Sequence, residues 1–151
     1  MLSMEEAMRQ IKFRAWWVEE KKMLHNAQNF YDGLNRRDNG NEYEPVQSFA
    51  EILESPDSYI AMQFTGLLDR EGVEVFEGDV VKAHYFYFNG NFDNDGEIIG
   101  VVRYSDWCAW GIGVVSGGGC SEWFDFLDTS HFEEPCIEVI GNIHQNPELL
   151  K

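Results

Sequence analysis

The sequence predicts a mainly β protein, a barrel or strongly coiled sheet, with one or two short helices confined to its N-terminal part. Three observations carry this. Runs that alternate apolar and polar residues recur about every 8–12 residues after Tyr59. Gly-, Asn- and Asp-rich turn sequences separate those runs. The helix-start signals Ser3-Met4-Glu5-Glu6 and Ser48-Phe49-Ala50-Glu51, in which a Ser hydroxyl and a Glu carboxylate cap each other's backbone amide, both precede Tyr59.

Taken in order, the Ser3 box opens a short helix. Ile11-Lys12-Phe13-Arg14-Ala15 alternates as a strand does, and Trp16 and Trp17 continue it with one ring on each face. Val18-Glu19-Glu20-Lys21-Lys22 is a polar reversal, and a second strand around Met23 completes a hairpin. Residues 26–44 are rich in Asn, Asp and Gly, which predicts an exposed loop. The Ser48 box starts a helix with Phe49, Ile52 and Leu53 on one face, and Pro56 ends it.

Ile60, Met62 and Phe64 then alternate along a strand, and Thr65-Gly66 follows. Asp69-Arg70-Glu71-Gly72 turns the chain into Val73-Glu74-Val75-Phe76, and Glu77-Gly78-Asp79 reverses it again. A strand from Val80 to Phe88 places Val81, Ala83, Tyr85 and Tyr87 on one side and Val80, Lys82, His84, Phe86 and Phe88 mostly on the other. Asn89 to Gly96 reads as a polar loop. Three strands follow, Glu97 to Tyr104, Trp107 to Val115 and Cys120 to Leu127, the last two separated by Ser116-Gly117-Gly118-Gly119. Cys136 to Ile140 alternates and leads into Gly141-Asn142, and Asn146-Pro147-Glu148 is a closing turn. No repeat or linker divides the chain, which reads as one domain over 1–151, with an N-terminal portion at 1–58 and a β-rich portion at 59–151.

Composition narrows the function classes. The 151 residues include five Trp, six Tyr and eleven Phe, enough rings for a compact core and a face that a second subunit or a partner covers. Acidic residues number 27 against 11 basic ones, a net charge of −16. Residues 1–60 carry 11 acids and 7 bases, whereas 61–151 carry 16 and 4, a charge of −12. Such a surface repels phosphate backbones, so direct nucleic-acid binding is disfavoured; Arg36-Arg37 and Lys21-Lys22 are too few to reverse this. Cys108, Cys120 and Cys136 form an odd set without a CxxC pair, and the N-terminus lacks the basic start and apolar run of a signal peptide. These features, with no apolar run near the ~20 residues of a membrane span, predict a cytoplasmic protein with reduced thiols.

Three blocks point to a family. Ile11-Lys12-Phe13-Arg14-Ala15-Trp16 opens the chain. Met62-Gln63-Phe64-Thr65-Gly66-Leu67-Leu68-Asp69-Arg70-Glu71-Gly72 runs into Val75-Phe76-Glu77-Gly78-Asp79-Val80-Val81. Glu138-Val139-Ile140-Gly141-Asn142-Ile143-His144, with Asn146-Pro147-Glu148-Leu149-Leu150, closes it. In this order the blocks resemble the YopX-like family of phages and prophages, from Ile11 to Leu150. The resemblance implies a mainly β fold with coiled sheets related to small SH3-like barrels, members that look oligomeric, and no established activity. It supplies no catalytic residues. Gln63, Thr65, Gly66, Asp69, Gly72, Glu77, Gly78, Asp79, Gly141 and Asn142 form its structural motif, and their residue types suit strand reversal.

Other residue sets carry chemistry less well. Glu77 and Asp79 have the residue types of an acid–base pair, but their neighbours are turn formers. Asp93, Asp95 and Glu97 resemble a fragment of a calcium loop without its closing Glu. Cys120, His131 and Cys136 match no zinc spacing, and Ser121, His131 and Asp125 or Asp128 lack a nucleophile elbow. The Gly run at 117–119 is not followed by the Lys of a phosphate-binding loop. No catalytic, metal or cofactor site is read. The aromatic residues Tyr85, Tyr87, Trp107, Trp110 and Trp123 are candidates for an interface, because strand alternation exposes one set of rings unless something covers it.

The expectation is therefore a non-enzymatic phage or prophage accessory protein that forms homo-oligomers and binds host or phage proteins. An acidic inhibitor that mimics nucleic acid, and an uncharacterised hydrolase, are the alternatives.

Overall fold

The computed structural model describes residues 10–30, 35–36, 43–44, 48–88, 93–106, 108–117, 123–125 and 137–151. The helix expected at Ser3 lies outside them. The fold is mostly β, with antiparallel sheets, one of them strongly curled into a half-barrel. Two compact units divide the chain at Phe64, six residues beyond the expected boundary at 58.

In the unit Met1–Phe64, β1 (Phe13–Trp17) pairs antiparallel with β2 (Lys22–Leu24) and with the first part of β5 (Tyr59–Leu68). The loop expected over 26–44 contains a 3-10 turn at Ala27–Asn29 and a two-residue ladder between β3 (Asn35–Arg36) and β4 (Tyr43–Glu44). Helix α1 (Phe49–Glu54) begins at the expected box: the Glu51 N–H donates to the Ser48 hydroxyl, and the Ser48 N–H donates to the Glu51 carboxylate at 3.0 Å. Ser48→Ala removes this reciprocal cap and is expected to cost about 1 kcal/mol in urea unfolding.

Both faces of β1 are covered. Ala15, Leu24, Ala27, Ile52 and Tyr59 cluster on one side with Phe13, Trp17 and Phe49; Trp16, Met23 and Met62 cluster on the other. Period-2 alternation places the Trp16 and Trp17 rings on opposite faces, as expected. Three side chains depart from the alternation pattern. Leu53 is exposed, because Phe49 and Ile52 make the contact of the short helix with the sheet. Ile60 is exposed while its neighbour Tyr59 is buried, Tyr59 being on the helix-facing side with Trp17. Arg14, on the polar positions of the sequence pattern, is buried with its guanidinium Nη2 3.8 Å from the Met62 sulfur.

In the unit Thr65–Lys151 the last four residues of β5 lead to β6 (Glu74–Phe76). Five strands follow in the sheet order β10-β9-β8-β7-β11: β7 (Asp79–Phe88), β8 (Asp93–Tyr104), β9 (Trp110–Gly117), β10 (Trp123–Asp125) and β11 (Ile137–Asn142). The core cluster is Val75, Val81, Ala83, Ile98, Val102 and Ile112, all buried completely. Register slips between Ile99 and Gly100 and between Val139 and Gly141 mark bulges, which sharpen strand twist and favour a curled sheet.

Several strand boundaries move. Residues 93–96, expected in a loop, extend β8, because the ladder with β7 continues to Phe88 opposite Asp93. Ser116 and Gly117 belong to β9, paired with Ile99 and Ile98. Trp107 lies outside the described residues, and the chain before β9 is a turn in which Ser105 N–H donates to the Ala109 carbonyl. Within Cys120 to Leu127 only Trp123–Asp125 is described as strand. β5 continues through Thr65-Gly66, with Gly66 at φ 92°. β11 runs through Gly141-Asn142, and the closing turn is a 3-10 helix at Pro147–Leu150. No helix among the described residues is long and apolar enough to cross a membrane.

Candidate functional site

The buried polar side chains among the described residues are Arg14, Ser48, Thr65, Asp69, Asp79 and Asn142. The last four belong to the motif singled out in the sequence. A buried polar group must be hydrogen-bonded or it costs stability, so the partners of these four decide what the motif does.

Thr65 bridges the β5–β6 pair: its hydroxyl donates to the Val75 carbonyl at 2.8 Å and accepts the Leu67 N–H at 3.1 Å. Asp69 sits at the hairpin tip that follows. Its Oδ1 accepts the N–H groups of Glu71 and Val73, each at 2.8 Å, and its Oδ2 accepts the Val139 N–H at 3.0 Å. Beside it the Arg70 N–H donates to the Ile137 carbonyl at 3.0 Å, and the Arg70 guanidinium pairs with the Glu138 carboxylate. One turn thus closes a hairpin and grips β11. Burial raises the Asp69 pKa, but the amides of Val139, Val73 and Glu71, together with the Arg70 charge, more than offset that and hold the carboxyl below its usual value.

Asp79 opens β7, and its Oδ2 accepts the Phe76 N–H at 2.7 Å across the Glu77-Gly78 reversal. Glu77 is half-buried beside it. Gly78 has φ 79°, its N–H donates to the Val102 carbonyl, and its own carbonyl accepts the Ile143 N–H. Asn142 ends β11 by folding the chain over itself: its Oδ1 accepts the N–H groups of His144 and Gln145 at 3.0 Å each. Gly141 lets that fold close, since a Cβ there would meet the Asn146 side chain at 2.6 Å and Leu149 at 2.8 Å. Gln63 is half-buried on β5 opposite Phe13.

The motif residues lie on β5 and at the reversals around Asp69, Gly78 and Asn142; the β7–β11 ladder sets Asn142 opposite Asp79 and Gly141 opposite Val80, and the Asp69 and Asp79 carboxylates accept backbone amides. A carboxylate that already accepts three amides is poorly placed to act as a base. No group of three or more His, Cys, Asp or Glu among the described residues could hold a metal. Asp93 and Asp95 lie on β8, opposite Phe88 and Phe86, and Glu97 bonds instead to Lys82 at 2.9 Å. Cys120, Ser121, Asp128, His131 and Cys136 lie outside the described residues. Of the aromatic interface candidates, Trp110 is half-buried against the core cluster and meets the Tyr104 ring edge-on at 4.9 Å. Trp107 and the side chains of Tyr85, Tyr87 and Trp123 lie outside the description.

Sequence reasoning missed the exposed apolar group Leu67, Leu68 and Val73, which are 41, 56 and 47% exposed around the Asp69 turn. The signal was there: Leu67-Leu68 breaks the alternation of Met62 and Phe64. The grip of Asp69 on Val139, 70 residues away, leaves no local signature.

Among solved structures, the chain resembles protein EF1440 from Enterococcus faecalis. The two are 29% identical over 95% of this chain and 100% of that one, with a TM-score of 0.48. No curated protein matches the sequence. A model of the YopX protein family matches residues 12–151, from the second residue of the opening sequence block to the end of the chain and across parts of both compact units. The chain belongs to the YopX protein family.

Proposed function

We propose that the protein is a non-enzymatic interaction module, a phage- or prophage-derived accessory protein of the bacterial cytoplasm that self-associates and engages a host or phage protein. The observation that carries this reading is the hairpin tip. The Asp69 carboxylate there is committed to backbone amides, while Leu67, Leu68 and Val73 around it are each exposed. Exposed apolar side chains at one hairpin favour contact with another protein surface. Light scattering supplies the test. The wild type is expected to exceed the 17.5 kDa of one chain at micromolar concentration, and Leu68→Asp to weaken that association about tenfold, ~1.4 kcal/mol. A wild type that stays monomeric refutes self-association.

A second reading, an acidic inhibitor that imitates nucleic acid, is favoured by the −12 charge of residues 61–151. Capture of a DNA-handling enzyme by this protein would then weaken steeply as salt rises from low to physiological strength. Salt-insensitive capture excludes it.

A further inference from the structure

We propose that the Asp69–Arg70 turn closes the edge of β11 that no other described strand pairs with against a second copy of the same strand. β11 ends the five-stranded sheet, with β7 on one side. Of its backbone groups, the Ile137 carbonyl and the Val139 N–H bond to the turn, the first accepting the Arg70 N–H and the second donating to Asp69 Oδ2. A carboxylate and a single amide here do what a neighbouring strand would do.

The same two groups make β11 self-complementary. When two antiparallel copies of this strand pair about a twofold axis through Glu138, the Val139 N–H of each falls opposite the Ile137 carbonyl of the other. The turn occupies both. Ile137-Glu138-Val139-Ile140 is rich in β-branched residues, the composition of an edge strand that recruits further strands unless it is covered. A second barrier is charge. The twofold pairing sets Glu138 against Glu138, and like charges directly opposite on a ladder repel; in the single chain, Glu138 instead pairs with Arg70 and lies opposite Lys82 of β7.

This inference does not rest on association through Leu67, Leu68 and Val73. A closed β11 edge removes one adhesive face from those that the described residues offer, and two non-equivalent adhesive faces on one chain build open chains.

The test is a pair of variants in the full chain. Asp69→Asn keeps one oxygen for the Glu71 and Val73 amides but turns an NH2 group toward the Val139 N–H. Glu138→Thr removes the repulsion at the axis. In sedimentation at matched concentration, D69N/E138T is expected to show at least twice the wild-type mass. Adding Val139→Pro deletes the edge N–H without touching the β7 ladder, which Pro tolerates at an outward edge position, and returns the mass to the wild-type value. A folded double variant with wild-type mass up to about 100 μM, a concentration at which even weak pairing registers, overturns the proposal, as does doubling that survives Val139→Pro. If the double variant does not fold, hydrogen exchange of the wild type decides. The Val139 amide must exchange together with those of Glu71 and Val73; protection that outlasts theirs shows that the turn does not guard the edge.

Discussion

Asp69→Ala is expected to lower the unfolding free energy at pH 7 by about 3 kcal/mol, the sum of three hydrogen bonds to an ionised acceptor at roughly 1 kcal/mol each after solvent exchange. The loss falls on two structures at once, the β5–β6 turn and the attachment of β11, because one carboxylate serves both. The effect is also pH-dependent with a definite sign. Burial opposes ionisation of Asp69, but the three amides and Arg70 win, so the folded-state pKa lies below the usual 3.8. A depressed folded value means the contribution is complete above the unfolded pKa and disappears as pH falls through the folded one. Urea unfolding should therefore show wild type losing stability below pH 3.8, while Asp69→Ala, which lacks the group, loses less over the same interval. Parallel profiles for the two proteins would show that the carboxylate is not held as described.

Gly100→Ala is expected to be as damaging for a different reason. Gly100 is buried at the bulge between β8 and β9, where a Cβ would sit 2.5 Å from the Gly113 carbonyl oxygen and closer still to a methyl of Ile112. One obstacle is backbone, so the strands must separate, at a cost of about 3 kcal/mol. Gly113→Ala is the control on the facing strand. Its Cβ would meet the Arg103 guanidinium at 3.4 Å, and Arg103 is an exposed side chain free to move away. The control is expected to lose less than about 1 kcal/mol, close to the ordinary range for surface changes. Equal losses in thermal unfolding would mean that the close approach at the bulge does not limit the sheet.

Local chemistry made much of this fold legible. The Ser48–Glu51 box, the reversals at Val18–Lys22, Asp69–Gly72 and Glu77–Asp79, and the alternation of β1 all act over a few residues, and the chain folds there as those residues dictate. The errors arose where tertiary contact overrides local pattern. Asp93 to Gly96 look like loop residues, yet the β7 ladder carries them into a strand, since an edge of backbone donors and acceptors is satisfied by pairing whatever the side chains are. Arg14 reads as solvent-facing because it alternates with Phe13 and Ala15, but both faces of β1 are covered, and the alternation cannot show that.

The motif itself was half legible. Its turn-forming character follows from residue type, and Asp79 and Asn142 bond to nearby amides as such residues do in tight turns. Asp69 has the same local role and a distant one. Nothing in its surroundings in sequence announces Val139, because a hydrogen bond across 70 residues depends on how sheets are assembled and not on spacing.

The central claim is that the motif's acids are acceptors for backbone amides. A carbon-13 NMR titration of the Asp69 carboxyl, read together with the Val139 amide resonance, tests it most directly. The carboxyl is expected to show a midpoint below 3.8, with the Val139 amide shifting through the same transition. A midpoint at or above 3.8, or a Val139 amide indifferent to the titration, would contradict it.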